Sequence, residues 1–137
     1  MPIQYDKSDI GKAADLGTHE VTAEMFRDYA AALGATLEGD AKDWVAPPLF
    51  CNVLTSGGAQ PETKIEGGRR RFAANQSYEP LAPIRVGDRL SATARITEMY
   101  EKTGRSGAML FVVRETTFTN QDKTDVAKIR HSMVVQE

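Results

Sequence analysis

Trp44-Val45-Ala46-Pro47-Pro48-Leu49-Phe50-Cys51-Asn52-Val53-Leu54-Thr55-Ser56 is the stretch on which the reading of the whole chain turns. A proline lacks the amide N–H and its ring collides with the preceding turn, so Pro47 and Pro48 suit the opening of a helix and not its interior. Leu49, Phe50, Val53 and Leu54 then recur at helical spacing, with Ala46 and Cys51 adding small apolar surface. The pattern predicts a short, largely buried helix, stopped by Gly57-Gly58. Every convincing strand comes later, so the simplest packing is a sheet curled over one apolar rod.

Upstream, Asp15 to Val21 reads as a short extended segment, and Thr22 as a helix N-cap whose hydroxyl accepts from an early helical N–H. Glu24 suits the positive end of the helix dipole, and Val21 can staple against Phe26 across the cap. Phe26, Tyr29, Ala30 and Leu33 form the apolar stripe, and Gly34 stands where a helix ends. Ala35 to Val45 is a loop carrying Glu38, Asp40 and Asp43, an acidic connector unless a base joins it. Ala59 to Gly68 is polar and glycine-rich, with no regular structure expected.

Downstream the pattern changes to period two. Phe72, Ala74, Gln76 and Tyr78 alternate with Arg71, Ala73, Asn75 and Ser77 as far as Pro80, which ends a strand or confines it to an edge. Leu90, Ala92, Ala94 and Ile96 alternate with polar neighbours, as a strand with one buried face should. Met109 to Val113 is apolar on both faces, so a central strand is expected to run from there to Thr119. Val126 to Val135 closes the series, with Ala127, Ile129, His131, Met133 and Val135 on one face. Tight turns link these last three strands into an antiparallel meander, and the two helices cover one of its faces. The fold class is α+β, one domain over residues 1–137.

Composition narrows function mainly by exclusion. The formal charge of −2 gives no global attraction to nucleic acid or to anionic lipid. Arg69-Arg70-Arg71 is the one basic run, readable as a solvated strand edge or as a phosphate contact. No apolar run approaches membrane-spanning length, a single cysteine forms no intrachain disulfide, and no secretory signal core opens the chain, so the cytoplasm is the expected compartment. One cysteine and two distant histidines furnish no metal-ligand spacing, and no glycine loop cradles a phosphate, so no cofactor is expected.

Three segments then carry a resemblance. Ala46-Pro47-Pro48-Leu49-Phe50, Tyr78-Glu79-Pro80-Leu81 with Pro83-Ile84-Arg85-Val86-Gly87-Asp88-Arg89-Leu90, and Tyr100-Glu101-Lys102-Thr103-Gly104-Arg105-Ser106-Gly107 resemble, in residues and in spacing, the MaoC-like dehydratase family. The match is narrower still with its N-terminal, fatty-acid-synthase-type dehydratase domain, over Ile10 to Val135. The resemblance implies a hot dog fold, an antiparallel sheet wrapped around a central helix. It also implies a dimer with another hot dog subunit, of the same or a different chain, and a thioester substrate carried by coenzyme A or an acyl carrier protein. The family hydrates 2-enoyl thioesters or dehydrates 3-hydroxyacyl thioesters. Active members use an aspartate and a histidine just after the first helix, with backbone donors at the start of the central helix polarising the carbonyl.

This chain departs from that pattern. Ala35 occupies the expected aspartate position after Ala32-Leu33-Gly34, and no histidine occurs between His19 and His131. No catalytic residue is therefore carried over, and the expectation is an acyl-thioester-binding subunit paired with a catalytic one. The alternatives are a self-sufficient hydratase or thioesterase built on an atypical acid such as Asp40, and a non-catalytic homodimer that binds acyl thioesters. Substrate-lining residues are expected at Ala46, Pro47 and Asn52, and at Asn75 and Gln76 on the adjoining strand, where ordinary strand polar residues are an equal reading. His19 reads as an exposed or capping side chain, and His131 as a hydrogen-bonded core or interface one.

Overall fold

The computed structural model describes residues 2–54, 61, 63–105 and 107–137. Strand β1 (Ala13–Glu20) leads into helix α1 (Ala23–Ala32), and after a long connection come β2 (Arg70–Pro80), β3 (Arg89–Gly104), β4 (Gly107–Thr119) and β5 (Asp125–Gln136). They form one antiparallel sheet in the order β1-β3-β4-β5-β2. The meander of β3, β4 and β5 is therefore its centre, and β2 reaches the far edge by crossing over.

Helix α1 starts and stops where local chemistry dictates. Thr22 is extended and its hydroxyl accepts from the Met25 N–H at 3.2 Å. At the other end Gly34 adopts φ +73°, while the Gly34 and Ala35 N–H groups donate to Ala31 and Ala30 at 3.0 and 2.8 Å. That paired closure needs a left-handed residue, which glycine supplies without strain. Phe26 and Ala30 are buried, but Leu33, at the cap, is 61% exposed and leaves the expected stripe.

The apolar rod differs from the expected helix. Among the described residues it is a five-residue 3-10 turn, Phe50–Leu54, entered through a turn at Pro48 and Leu49. Thr55, Ser56 and Gly57-Gly58, where that helix was expected to end, lie outside the described residues. Successive prolines hold Ala46 and Pro47 out of the helical region, so the reversal falls on Leu49, which takes φ +64°. Leu49 and Val53 are each 47% exposed, whereas Phe50, Cys51 and Leu54 are buried. Phe50 meets Phe26 edge to face with ring centres 4.8 Å apart, and both pack with Leu90, Ala92, Phe118, Ala127 and Ile129 of the sheet. Burying each ring contributes about 1.5–3 kcal/mol.

A second cluster, Ile65, Ile96, Met99, Leu110, Val112 and Val135, lies farther along the sheet, with Ile3, Tyr5 and Met133 packed against it. Its cover is held by the bridge between Gln4 and Glu66 and by Asp9, which is shut off from solvent. Asp9 pairs with the Lys12 ammonium at 2.6 Å and accepts from the Lys64 N–H at 2.9 Å.

Strand β2 departs from strict alternation. Its ladder with β5 slips between Ala73 and Asn75, leaving Ala74 as an extra residue. Arg71 and Ala73 therefore share a face with Gln76 and Tyr78, and Phe72 moves to the other side. Apart from Tyr78 every residue of β2 is exposed, and its outer edge has no strand partner among the described residues.

Candidate functional site

Two concavities mark the surface, one at the entry to the 3-10 turn and one on the sheet beside β2, β4 and β5. The first is a cleft of about 410 Å³ walled by Val45 to Leu49 on one side and Pro80 to Ile84 on the other, with Tyr78 and Val126. The walls are joined by backbone pairing: the Ala46 N–H donates to Ile84 at 2.8 Å, and Val45 bridges Arg85. Across the turn, the Tyr29 hydroxyl donates to the Pro48 carbonyl at 2.7 Å and ties α1 to the same wall. Prolines are suited to such a wall, since they present fixed apolar surface and few N–H groups that would need partners. Ala46 and Pro47 lie in the wall of this cleft.

The cleft's polar side chain is Tyr78. Burial, then contact with Cys51, pushes its hydroxyl above the ordinary tyrosine range. The Cys51 thiol in turn is pushed up to about 11 by burial, which leaves it protonated and unreactive at neutral pH.

Two more expected residues meet directly. The Gln76 amide donates to the Asn52 side-chain oxygen at 2.6 Å, linking β2 to the 3-10 turn. Asn75 does not join them: it pairs in register with Ser132 on the opposite face, because successive residues of a strand point to opposite sides. The site as a whole comes from the turn, from the inner face of β2 and from the loop after Pro80.

Acid-base groups are sparse around it. His19 sits on β1, its Nε2 within 3.1 Å of the Leu16 carbonyl. His131 lies on β5, separated from β1 by β3 and β4, and it is level with Ile96 of β3 through Arg114, six residues along that strand from Leu90, the partner of His19. Asp40 is exposed and caps the turn Ala41–Asp43, accepting from the Lys42 N–H at 3.3 Å. The loop that carries it folds back through the Trp44 indole N–H, which donates to the Glu38 carbonyl at 2.9 Å. Among the described residues no group of three or more His, Cys, Asp or Glu converges as a metal site, and no helix is long and apolar enough to cross a membrane.

Sequence reasoning missed Tyr78 and Arg114. Tyr78 was counted only as an inward strand residue, although its hydroxyl end was a signal that a polar group enters the cleft. Arg114 lies on the inner face of β4, in register with His131, inside an apolar strand where a charge at an inward position was itself the cue.

Comparison with solved structures places the fold. An R-hydratase from Pseudomonas aeruginosa superposes with a TM-score of 0.67 at 18% identity, covering 93% of this chain and 82% of that one. A MaoC-like dehydratase from Rhodospirillum rubrum gives 0.66 at 16%, covering 93% and 92%. The HadBC complex of Mycobacterium tuberculosis, a 3R-hydroxyacyl-ACP dehydratase, gives 0.66 at 19%, covering 91% and 96%. At these identities the likeness speaks for the hot dog fold alone. No curated protein matches the sequence. The family profile described as FAS1-like, dehydratase domain region, matches residues 8–129, and the chain therefore belongs to that family, with a MaoC-like hot dog fold.

Proposed function

We propose that this chain is the acyl-thioester-binding half of a MaoC-like enoyl hydratase or 3-hydroxyacyl dehydratase, and that a second hot dog subunit brings the aspartate and histidine. The observation that carries the reading is a cleft with apolar walls and no proton-transfer pair among the described residues. The chain's two histidines stand on strands separated by two others, and Ala35 replaces the acid after α1. An apolar cleft suits an acyl chain, which gains about 25 cal/mol for each Å² of apolar surface withdrawn from water. The Asn52–Gln76 pair supplies amide groups able to bond a thioester carbonyl or a pantetheine amide.

The expected mate sits along β2. Its eleven residues leave one edge of N–H and C=O groups without a strand partner among those described, the usual template for pairing with another chain. One of the structural neighbours is itself a complex of two such chains. Coenzyme A and an acyl carrier protein remain equal as the thioester's carrier.

The test is hydration of a crotonyl thioester. The purified chain alone should give no rate above background, and addition of a hot dog subunit bearing the aspartate and histidine should produce turnover. Hydration by the isolated chain at an enzyme-like rate, about 1 s⁻¹ or more, would overturn the proposal.

A further inference from the structure

The inner face of the sheet changes character between its two apolar clusters. Reading across the strands in register, Gln76 of β2 stands beside His131 of β5, which stands beside Arg114 of β4. Ile129 and Phe118 of the first cluster lie on one side of this polar row, and Val112 and Val135 of the second on the other. The row opens into a cavity of about 390 Å³ whose walls include Arg71, Ala73, Val112, Arg114, His131 and Met133.

Arg114 is the unusual member. Its Nε is closed off from solvent and has no hydrogen-bond partner among the described residues. Burial alone lowers its pKa, with no carboxylate close enough to offset the loss of hydration. His131 is held below the ordinary histidine range by burial and then by the Arg114 charge. The other arginine of the cavity is committed, since Arg71 donates to the Ile65 carbonyl at 3.0 Å. A half-buried guanidinium without a counter-charge is costly, and its planar fork of donors matches an oxyanion.

We infer that the cavity at Arg114 is an anion subsite, in which the guanidinium takes a carboxylate or phosphate oxygen of a ligand. Val112, Met133 and Ala73 supply apolar walls around the charge, so the oxyanion arrives on an organic molecule that also fills the space. Two sources share this chemistry: a carboxylate at the end of an acyl chain, and a phosphate on the thioester's carrier. Tyr78, in the first cleft, and Ala73, in this cavity, are separated by about 14–17 Å of β2, with the Asn52–Gln76 bond between them. One extended ligand can therefore engage both. The anion subsite does not depend on the subunit assignment, because no turnover enters its test.

The experiment is a titration of isotope-labelled protein with succinate, with inorganic phosphate, and with chloride at matched ionic strength, followed by NMR. Succinate or phosphate should give saturable shifts at the Arg114 side-chain Nε–H and at the Val112, His131 and Met133 amides, while chloride does not. A response to succinate identifies the carboxylate source, and one to phosphate the carrier. Arg114→Gln should weaken binding about tenfold or more, and Arg114→Lys should fall between, since it keeps the charge and loses the fork. The melting temperature of Arg114→Gln should stay within about 4 °C of the parent, because removing an unpaired charge breaks no bond. The inference is overturned if neither oxyanion shifts these resonances beyond chloride, or if Arg114→Gln binds as the parent does. A steep loss of stability in that variant would overturn it too, by showing that the guanidinium is a structural member of the fold.

Discussion

Asp9 is wholly withdrawn from water and Arg114 is half-buried, and the chain treats the two charges in opposite ways. The Asp9 carboxylate has the Lys12 ammonium and the Lys64 N–H converging on it and closes the N-terminal turn over the loop at Ile65. The Arg114 Nε has no hydrogen-bond partner among the described residues. A fold that supplies a counter-charge to one covered group gains nothing in stability by leaving another half-buried without one, because a partly desolvated charge with no partner costs more than a neutral substitute of similar size. The contrast separates a charge that serves the scaffold from one that is kept for a ligand.

The sharpest way to break the comparison is Asp9→Ala. It removes the carboxylate on which the Lys12 ammonium and the Lys64 N–H converge and opens a space where a wholly buried side chain stood, so the thermal midpoint should fall further than for any other variant named here. Differential scanning calorimetry checks it. The same carboxylate sets an acid limit. The Lys12 bond first, and the Lys64 N–H second, hold its pKa below 3.8. Between that lowered value and 3.8 the unfolded chain binds a proton that the native chain does not, so stability rises with pH in this window. The contribution is complete above pH 3.8 and gone once pH falls through the native value. Acid-unfolding curves of Asp9→Asn should lose that part of the slope.

Asn52 and Gln76 are the intermediate case, a neutral pair half open to solvent. Either residue changed to alanine should lower stability by about 0.5–1 kcal/mol, measured from denaturant midpoints, and the double variant should cost less than the sum. Arg114→Gln belongs below it, within about 1 kcal/mol of the parent in the absence of ligand, in keeping with the removal of a charge that has no partner. The smallest effect is on His131. Burial, then Arg114, lowers its pKa beneath 6.5, so the unfolded chain takes up the proton first and stability should fall slightly as pH drops below 6.5. NMR titration should place the native pKa under 6.5 and show it rising in Arg114→Gln.

Local chemistry made most of the framework legible. Thr22 and Gly34 are the cap and stop of α1 in the structure as in the sequence, because both act within one helical turn. The alternation of β3 and the apolar run of β4 gave their burial directly: Leu90, Ala92, Ala94 and Ile96 are fully buried, and Val112 and Val113 lie on both faces of the sheet. Three details were not legible. The bulge at Ala74 exchanged the faces of Phe72 and Ala73, since a ladder slip depends on the partner strand. Leu49 took a left-handed turn where periodicity promised a helix, because consecutive prolines outweigh hydrophobic spacing. Arg114 looked like one polar residue in a strand until register brought His131 and Gln76 beside it.

The sequence by itself determined the α+β class and the meander, which follow from short-range periodicity, and three of its segments carried the resemblance to the family, along with the departure from that family's pattern at Ala35. Only the tertiary structure decided that Asn52 meets Gln76, that Tyr78 enters the proline-walled cleft, and that Arg114 lies half-buried with no counter-charge among the described residues. Those are outcomes of strand order and register, and they join residues dozens of positions apart whose side chains carry no local sign of one another.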